Sequence, residues 1–254
     1  MKRRQLMQWA GAGLAATVGL GVRDVFRPAQ AQTGSVTIQF LGHTCFLFTG
    51  DGRRILVNPF RPLGCTAGYP APQVAADLVM ISSRLLDEGS VEGLPGQPRI
   101  LFEPGVFDFP DMQVQGIATD HDDVGGRRFG TNVVWRWMQG GVNLLHLGGA
   151  AAPITTEQRI LMGRPDVLLV PVGNGPKAFT PEEAQGAIQT LNPRLVIPTH
   201  YRTAAAGEGC DIVPIDAFLA LMAGVPTQQV GGTITISPGD LPDATQIRVM
   251  SSPV

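Results

Sequence analysis

The residue types in this chain that could do chemistry are four histidines and one pair of neighbouring acidic residues. They are His43, His121, His146 and His200, together with Asp87 and Glu88. Neutral imidazole and carboxylate oxygen are ligands that proteins use for Zn²⁺, Mn²⁺ and Fe²⁺. A cleft that gathered these side chains would be polar and titratable, which suits metal binding, anion or ligand binding, or modest acid–base chemistry.

Short apolar segments place most of these residues at or near the ends of strands. Apolar runs bounded by turn residues predict strands at residues 36–41, 44–49, 53–57, 77–81, 99–102, 113–118, 132–137, 142–146, 166–171, 194–198 and 232–237. The turn Gly50-Asp51-Gly52 joins the second and third of these strands as a hairpin.

Helices are predicted mainly in the second half of the chain. Thr180-Pro181-Glu182-Glu183 combines an N-cap threonine, a proline at the first position and a reciprocal glutamate, so a helix is expected from there to about Leu191. A second helix is expected near residues 215–223. A β-rich first half followed by alternating strands and helices indicates stacked sheets with helices outside them.

Four segments of the chain, in this order, resemble the metallo-β-lactamase superfamily, in particular its lactonase-like branch of Zn-dependent hydrolases. They are residues 40–47 (FLGHTCFL) with 54–60, residues 76–82 (ADLVMIS), residues 145–149 (LHLGG), and residues 166–173 with 193–201. The resemblance spans residues 35–237. It implies an α/β protein with a four-layer αββα sandwich, in one domain over residues 32–254, whose site lies where strand-end loops meet.

The chain departs from the superfamily at the metal-binding motif. In the superfamily, the loop after the second segment reads His-x-His-x-Asp-His, and the third segment ends in an aspartate that bridges two metal ions. Ser83 and Leu85 replace the first two histidines here, Glu88 replaces the last one, and Gly149 replaces the bridging aspartate. Leucine cannot bind a metal and serine is a poor ligand for zinc. The motif is therefore degenerate, and a two-metal site is not expected.

The residues that the resemblance retains as metal ligands are Asp87, His146 and His200, and Glu88 adds a further oxygen ligand. This set predicts either no metal or a single Zn²⁺, Mn²⁺ or Fe²⁺ ion. By the same resemblance, His43 and His121 face the cleft; the alternative is that they are ordinary loop histidines.

Two functions are compatible with this sequence. The favoured one is a non-catalytic or weakly active factor that binds or assembles with an unknown protein or small-molecule ligand. The alternative is a mononuclear metal-dependent hydrolase of a lactone, ester or phosphoester, supported by the joint retention of Asp87, His146 and His200.

The first 31 residues are typical of a cleaved export signal. Lys2-Arg3-Arg4 precedes an apolar stretch over residues 9–22, and Ala29-Gln30-Ala31 resembles a cleavage site. The arginine pair resembles a twin-arginine signal. A membrane anchor is the alternative, although the stretch is shorter than the roughly 20 residues that span a bilayer. We expect a periplasmic or thylakoid-lumen protein with no transmembrane segment after cleavage.

Charge and cysteine content restrict the partners and the compartment. Residues 1–31 contain five basic residues and one acid, which leaves 14 basic and 20 acidic residues and a net charge of −6. Nucleic acid is therefore an unlikely partner. Cys45 is expected to be buried, whereas Cys65 and Cys210 lie in glycine-rich loops, where they either form a disulfide or remain two free thiols.

Three further groups have simple interpretations. Trp135 and Trp137 alternate on one strand face and are expected to pack in the core between sheet and helix, with a partner surface as the alternative. Residues 120–123 are expected to form a solvated acidic loop, with a metal site as the alternative, and the pair Arg127-Arg128 is assigned no role.

Overall fold

The computed structural model describes residues 34–254 of the chain. The export signal predicted for residues 1–31 lies outside these residues. No helix in the described part combines the length and the apolar character that crossing a membrane requires.

The described residues form two β-sheets. The first sheet has six strands in the order β13-β1-β2-β3-β4-β5, and the second has eight in the order β12-β14-β11-β10-β9-β8-β7-β6. The strands of the first sheet are β1 (Val36–Gly42), β2 (Cys45–Gly50), β3 (Arg53–Val57), β4 (Leu78–Met80), β5 (Arg99–Leu101) and β13 (Thr233–Ile236). The second comprises β6 (Gly105–Phe109), β7 (Met112–Asp120), β8 (Thr131–Gln139), β9 (Val142–His146), β10 (Val167–Pro171), β11 (Leu195–Thr199), β12 (Thr227–Val230) and β14 (Gln246–Met250).

Apolar side chains from both sheets interlock in a core between them. The two tryptophans are core residues as expected, but they lie between the sheets rather than between sheet and helix, with Trp135 fully buried and Trp137 edge-on to Phe48 at 4.9 Å between ring centroids. The hairpin at Gly50-Asp51-Gly52 is also confirmed, because β2 and β3 pair from Gly50 opposite Arg53. The mixed α/β sandwich implied by the resemblance is therefore the observed fold.

Helices cover the outer face of the second sheet. They are α1 (Thr156–Met162), α2 (Pro181–Leu191) and α3 (Asp216–Leu221). Helix α2 begins as the sequence predicts, because Thr180 Oγ1 accepts a hydrogen bond from the Glu183 N–H and the Glu183 carboxylate accepts one from the Thr180 N–H. The sequence did not predict α1, β6, β12 or β14, which are short elements of four to seven residues.

Loops rather than α-helices cover the outer face of the first sheet in the described residues. Leu47, Leu56 and Val79 on that face pack against Phe60 and Tyr69 from the loop after β3. A disulfide between Cys65 and Cys210 ties this loop to the loop after β11, while Cys45 is a buried free thiol. Of the two states left open for the loop cysteines, the structure has the disulfide, and it fastens two loops that border the site.

Candidate functional site at the strand-end loops

The site begins with two histidines held in an uncommon backbone conformation. His43 and His200 have φ values of 56° and 54°, in the left-handed region that few residues other than glycine occupy. The His200 N–H donates to the His43 carbonyl oxygen at 3.2 Å, which joins the β1–β2 corner to the end of β11. Their rings consequently lie 4.1 Å apart, centroid to centroid.

The buried carboxylate of Glu88 contacts two imidazole rings. Glu88 is fully buried, with Oε2 3.3 Å from His121 Nε2 and Oε1 3.7 Å from His200 Nδ1. The Ser83 hydroxyl donates to the same Oε2 at 3.2 Å. Glu88, His121, His200 and His43 thus form one cluster, which we call the histidine–glutamate cluster.

Gly149 leaves room for this cluster because it has no side chain. A Cβ atom at position 149 would overlap Nε2 of His121 and would lie 2.8 Å from Oε1 of Glu88. The Gly149 N–H donates to the Asn132 side-chain oxygen at 2.9 Å, and Asn132 also donates to the Leu147 carbonyl oxygen. Asn132 therefore holds the loop after β9 at a distance that only a residue without a side chain tolerates.

His146 has a structural role beside the cluster. Its Nε2 lies 3.1 Å from the Thr44 carbonyl oxygen, and its Nδ1 accepts a hydrogen bond from the Gly148 N–H at 3.0 Å. Because both ring nitrogens are engaged, this imidazole has no lone pair free for a metal. Burial lowers the pKa of His146 to about 4, so the ring is neutral at pH 7.

Asp87 is paired with a lysine at the edge of the cluster. Its carboxylate forms an ion pair with Lys177, which lies in the loop between β10 and α2. Burial acts to raise the pKa of Asp87, but the adjacent ammonium and its hydrogen bond lower it below the usual range. Asp87 is therefore charged and already has a cationic partner.

A buried aspartate shapes the loop between β7 and β8. Asp122 accepts hydrogen bonds from the N–H groups of Val124, Gly126, Arg128 and Phe129 at 2.8–3.0 Å. The expected solvated loop is thus wrong for Asp122, which is buried, although Asp120 and Asp123 are exposed. The fold of this loop carries Arg128 and Phe129 to the site.

An open cleft of about 500 Å³ lies over the cluster. His200 contributes to its lining, with Asp87 and Lys177 beside it. The remaining lining is mostly apolar and comes from Leu63, Gly64, Cys65, Leu85, Leu86, Arg128, Phe129, Pro176, Gly209, Asp211 and Ile212. The disulfide therefore forms part of one wall, and Arg128, to which the sequence assigned no role, forms part of another.

The cluster is rich in polar atoms that lack partners. Of nine buried side-chain nitrogen and oxygen atoms without a hydrogen bond in residues 34–254, five belong to the cluster: His43 Nε2, Glu88 Oε1, His121 Nδ1, His121 Nε2 and His200 Nδ1. Burial lowers the pKa of both His43 and His200, so both rings are neutral at pH 7. Buried polar atoms usually have partners, so such a concentration indicates a site for an ion, water or ligand.

Comparisons with known proteins agree with this fold. Residues 37–200 match the family profile described as the β-lactamase superfamily domain. The chain belongs to the metallo-β-lactamase superfamily. A protein named as a UPF0173 metal-dependent hydrolase from Pelotomaculum thermopropionicum is 30% identical over 200 residues, covering 65% of this chain and 84% of the relative. Another from Thermococcus onnurineus is 27% identical over 193 residues, covering 66% and 85% respectively.

A solved structure of the same superfamily is also similar. It is a proposed Zn-dependent hydrolase from Thermotoga maritima, with 29% identity and a TM-score of 0.69. The match covers 85% of this chain and 98% of that one.

The residues present do not fit the two-metal centre that the superfamily motif implies. Leu85 offers no donor atom, Gly149 offers no bridging carboxylate, and Asp87 is neutralised by Lys177. His146 cannot complete either position, because its two nitrogens are already hydrogen bonded.

A single ion fits the chemistry of the remaining donors better. Two ligands bound to zinc at 2.0–2.1 Å in a tetrahedral site lie roughly 3.3 Å from each other. The oxygen–nitrogen distances of 3.3 and 3.7 Å from Glu88 to His121 and His200 are close to that separation. Within residues 34–254, however, no three His, Cys, Asp or Glu side chains already stand where they could hold an ion. Binding would therefore require the side chains to shift.

The structure reassigns the histidines that the sequence singled out. Glu88 and His200, from the predicted metal set, join His43 and His121, which the sequence placed only in the cleft. In this structure both ring nitrogens of His146 are hydrogen bonded to the backbone, and Asp87 is paired with Lys177, so neither side chain joins the cluster. Lys177 and Phe129 were missed; the only signal for them was their position in loops that follow predicted strands.

The burial of neutral His146 makes a pH-dependent contribution to stability. Its pKa is about 4 in the folded protein and near 6.5 when exposed, so the unfolded chain binds the extra proton first as the pH falls. The contribution is complete above pH 6.5 and decreases toward pH 4 by up to about 3 kcal/mol. Urea unfolding between pH 7 and 4 should show this loss, and His146→Asn, which does not titrate, should reduce the slope. An unchanged slope in the variant would contradict the assignment.

A side chain at Gly149 should be costly because of the cluster behind it. We expect Gly149→Ala to lower the free energy of unfolding by about 1–3 kcal/mol through overpacking. In a Glu88→Ala background the cost should shrink by at least about 0.5 kcal/mol, a coupling that a double-mutant cycle measures. Gly186→Ala is the matched control, since its Cβ in α2 would meet nothing within 4 Å. Equal costs in the two backgrounds would disprove the packing explanation.

Proposed function

We propose that this protein is a hydrolase that works in the cleft over the histidine–glutamate cluster with a single divalent metal ion. Glu88, His121 and His200 are the proposed ligands. The observation that carries the proposal is the convergence of unpartnered buried nitrogen and oxygen atoms on these side chains. Relatives named as metal-dependent hydrolases support the same class of activity.

The chemistry divides between the metal and the chain. A bound Zn²⁺, Mn²⁺ or Fe²⁺ would supply Lewis acidity and activate a water molecule at neutral pH. Glu88, His121 and His200 would hold it. The neutral His43 ring contacts His200, and its unpartnered Nε2 would accept a proton from the water. The apolar walls at Leu85, Phe129 and Ile212 would shield a bound substrate from water. A lactone, an ester or a phosphoester is the proposed substrate.

A second candidate is a non-catalytic or weakly active binding or assembly factor. The observation in its favour is that Glu88 already contacts His121 and His200 directly and that Asp87 is paired with Lys177. These contacts give Glu88 and Asp87 partners without a metal. Its partner would be a protein or a small-molecule ligand that fits the cleft.

We further propose that the protein is exported to the periplasm or to a thylakoid lumen. The basic, apolar and Ala-Gln-Ala segments of residues 1–31 support this proposal. The disulfide between Cys65 and Cys210 supports it as well, because disulfides persist mainly in oxidising compartments.

Metal content and activity measured on the same variants test the proposed ligands. The wild-type protein should bind close to one ion per chain and hydrolyse a member of a lactone, ester and phosphodiester panel. Glu88→Ala, His121→Ala and His200→Ala should each lose the ion and lower kcat/KM by roughly two orders of magnitude or more, since even supporting residues of metal sites cost 10–100-fold. His146→Asn also replaces a buried histidine, but one outside the proposed ligand set, and it should retain both the ion and the activity.

Three outcomes would count against this function. Folded wild-type protein with no bound ion and no activity on the panel would favour the binding factor. Two ions per chain would contradict the single site. Loss of the ion in His146→Asn, with retention in His121→Ala, would restore the ligand set inferred from the sequence.

Export can be tested by following the full chain in a bacterial host. The protein recovered from the periplasm should begin at Gln32 by mass spectrometry and should contain one titratable thiol, that of Cys45, after denaturation. Replacing Arg3 and Arg4 by lysines should retain the chain inside the cell. Recovery of uncleaved chain in the membrane fraction would instead indicate an anchor.

A further inference from the structure

Lys177 places a positive charge beside a residue that the superfamily motif assigns to metal binding. Its ammonium pairs with Asp87, the carboxylate that the superfamily motif assigns to metal binding. The ammonium also lies 5.9 Å from the centre of the Phe129 ring. The side chains of Lys177 and Asp87 are 21% and 22% exposed, so the pair faces the cleft without being fully solvated.

The Lys177 ammonium has more N–H donors than residues 34–254 use in hydrogen bonds. Lysine carries three N–H donors, and Asp87 is the one hydrogen-bond acceptor that residues 34–254 provide for it. Both Lys177 and His200 contribute to the lining of the cleft. A substrate in the cleft could therefore receive a hydrogen bond from Lys177 while its reacting group lies over the cluster.

We propose that Lys177 is a catalytic residue that supplies the positive charge a second metal ion supplies in two-metal members of the superfamily. It does so by donating a hydrogen bond to the substrate oxygen on which negative charge develops. This inference rests on the proposed hydrolase function. Fixed donors aimed at such an oxygen are among the largest contributions to catalysis.

The step can be written for an ester or lactone. The oxygen of a water molecule forms a bond to the acyl carbon, and the carbonyl electron pair moves to the carbonyl oxygen, which becomes an oxyanion bonded to the Lys177 ammonium. The proton of the water passes to a neutral imidazole of the cluster. The oxyanion electron pair then re-forms the carbonyl double bond, the carbon–oxygen bond to the leaving group breaks, and the leaving oxygen takes the electron pair of that bond and the proton from the imidazole. Lys177 stays protonated throughout.

The sequence makes this residue unusually easy to observe. Lys2 and Lys177 are the two lysines of the chain, so Lys177 is the only lysine beyond residue 31. Reductive methylation of chain 32–254 with ¹³C-formaldehyde labels Lys177 and the amino terminus and keeps the positive charge. Addition of inorganic phosphate, a tetrahedral oxyanion, to metal-free protein should shift the Lys177 signal in a saturable way and leave the amino-terminal signal unchanged.

Kinetics of substituted enzymes supply the second measurement. Lys177→Met should lower kcat by roughly 10²-fold with a smaller change in KM, as removal of an oxyanion donor does elsewhere. Lys177→Arg should restore part of the loss. Arg127→Gln is the matched control, because Arg127 is exposed and lies outside the cleft lining, and it should keep the wild-type kcat.

The outcomes separate this inference from the proposed function. An active wild-type enzyme whose kcat survives Lys177→Met would overturn the role of Lys177 and leave the hydrolase standing. An inactive wild-type protein would overturn the hydrolase, and the phosphate titration would then decide whether Lys177 binds an oxyanion. A Lys177 signal unmoved by phosphate would overturn the inference in either case.

Discussion

The buried carboxylate of Glu88 is the constraint around which the site is built. A carboxylate removed from water is stable only if it is paired, hydrogen bonded or bound to a metal. The chain surrounds Glu88 with His121, His200 and the Ser83 hydroxyl, yet Oε1 still lacks a hydrogen bond. The neighbouring His200 ring is itself neutral, so it adds no positive charge beside Glu88. The cation proposed for this site would give Oε1 a partner.

The backbone around the cluster is arranged to make this burial sterically feasible. His43 and His200 adopt left-handed conformations and share a backbone hydrogen bond, which brings two separate strand ends together. Asn132 holds the loop after β9 so that Gly149 faces Glu88 and His121 directly. Conformations of this kind cost free energy and persist where the surrounding structure imposes them. The absence of a side chain at Gly149 and the presence of Glu88 and His121 beside it are therefore sterically linked.

The sequence predicts the sheets better than it predicts the site, for a physical reason. Apolar strands such as 142–146 and 166–171 can be recognised because periodicity reports burial directly. The roles of His121 and His146 are harder to predict, because nothing in a residue type shows where a ring nitrogen points. The His146 ring is held by the Thr44 carbonyl oxygen, which accepts, and by the Gly148 N–H, which donates, and both partners depend on loop conformation. Lys177 and the Asp122-centred loop were missed for the same reason.

The charges that meet at the cleft also distinguish one ion from two. Asp87 and Glu88 contribute two negative charges, Lys177 contributes one positive charge, and the nearby His43 and His200 rings are neutral at pH 7. One divalent ion would leave this group with a single positive charge, whereas two would leave three positive charges in a partly buried space. Since isolated charge is costly to bury, a second ion would need carboxylates that Gly149 and the Lys177-bound Asp87 do not provide. Under the proposed function, the lysine that pairs with Asp87 would also leave a fixed cation in the cleft, so one metal ion and one ammonium would meet the electrostatic demand of hydrolysis.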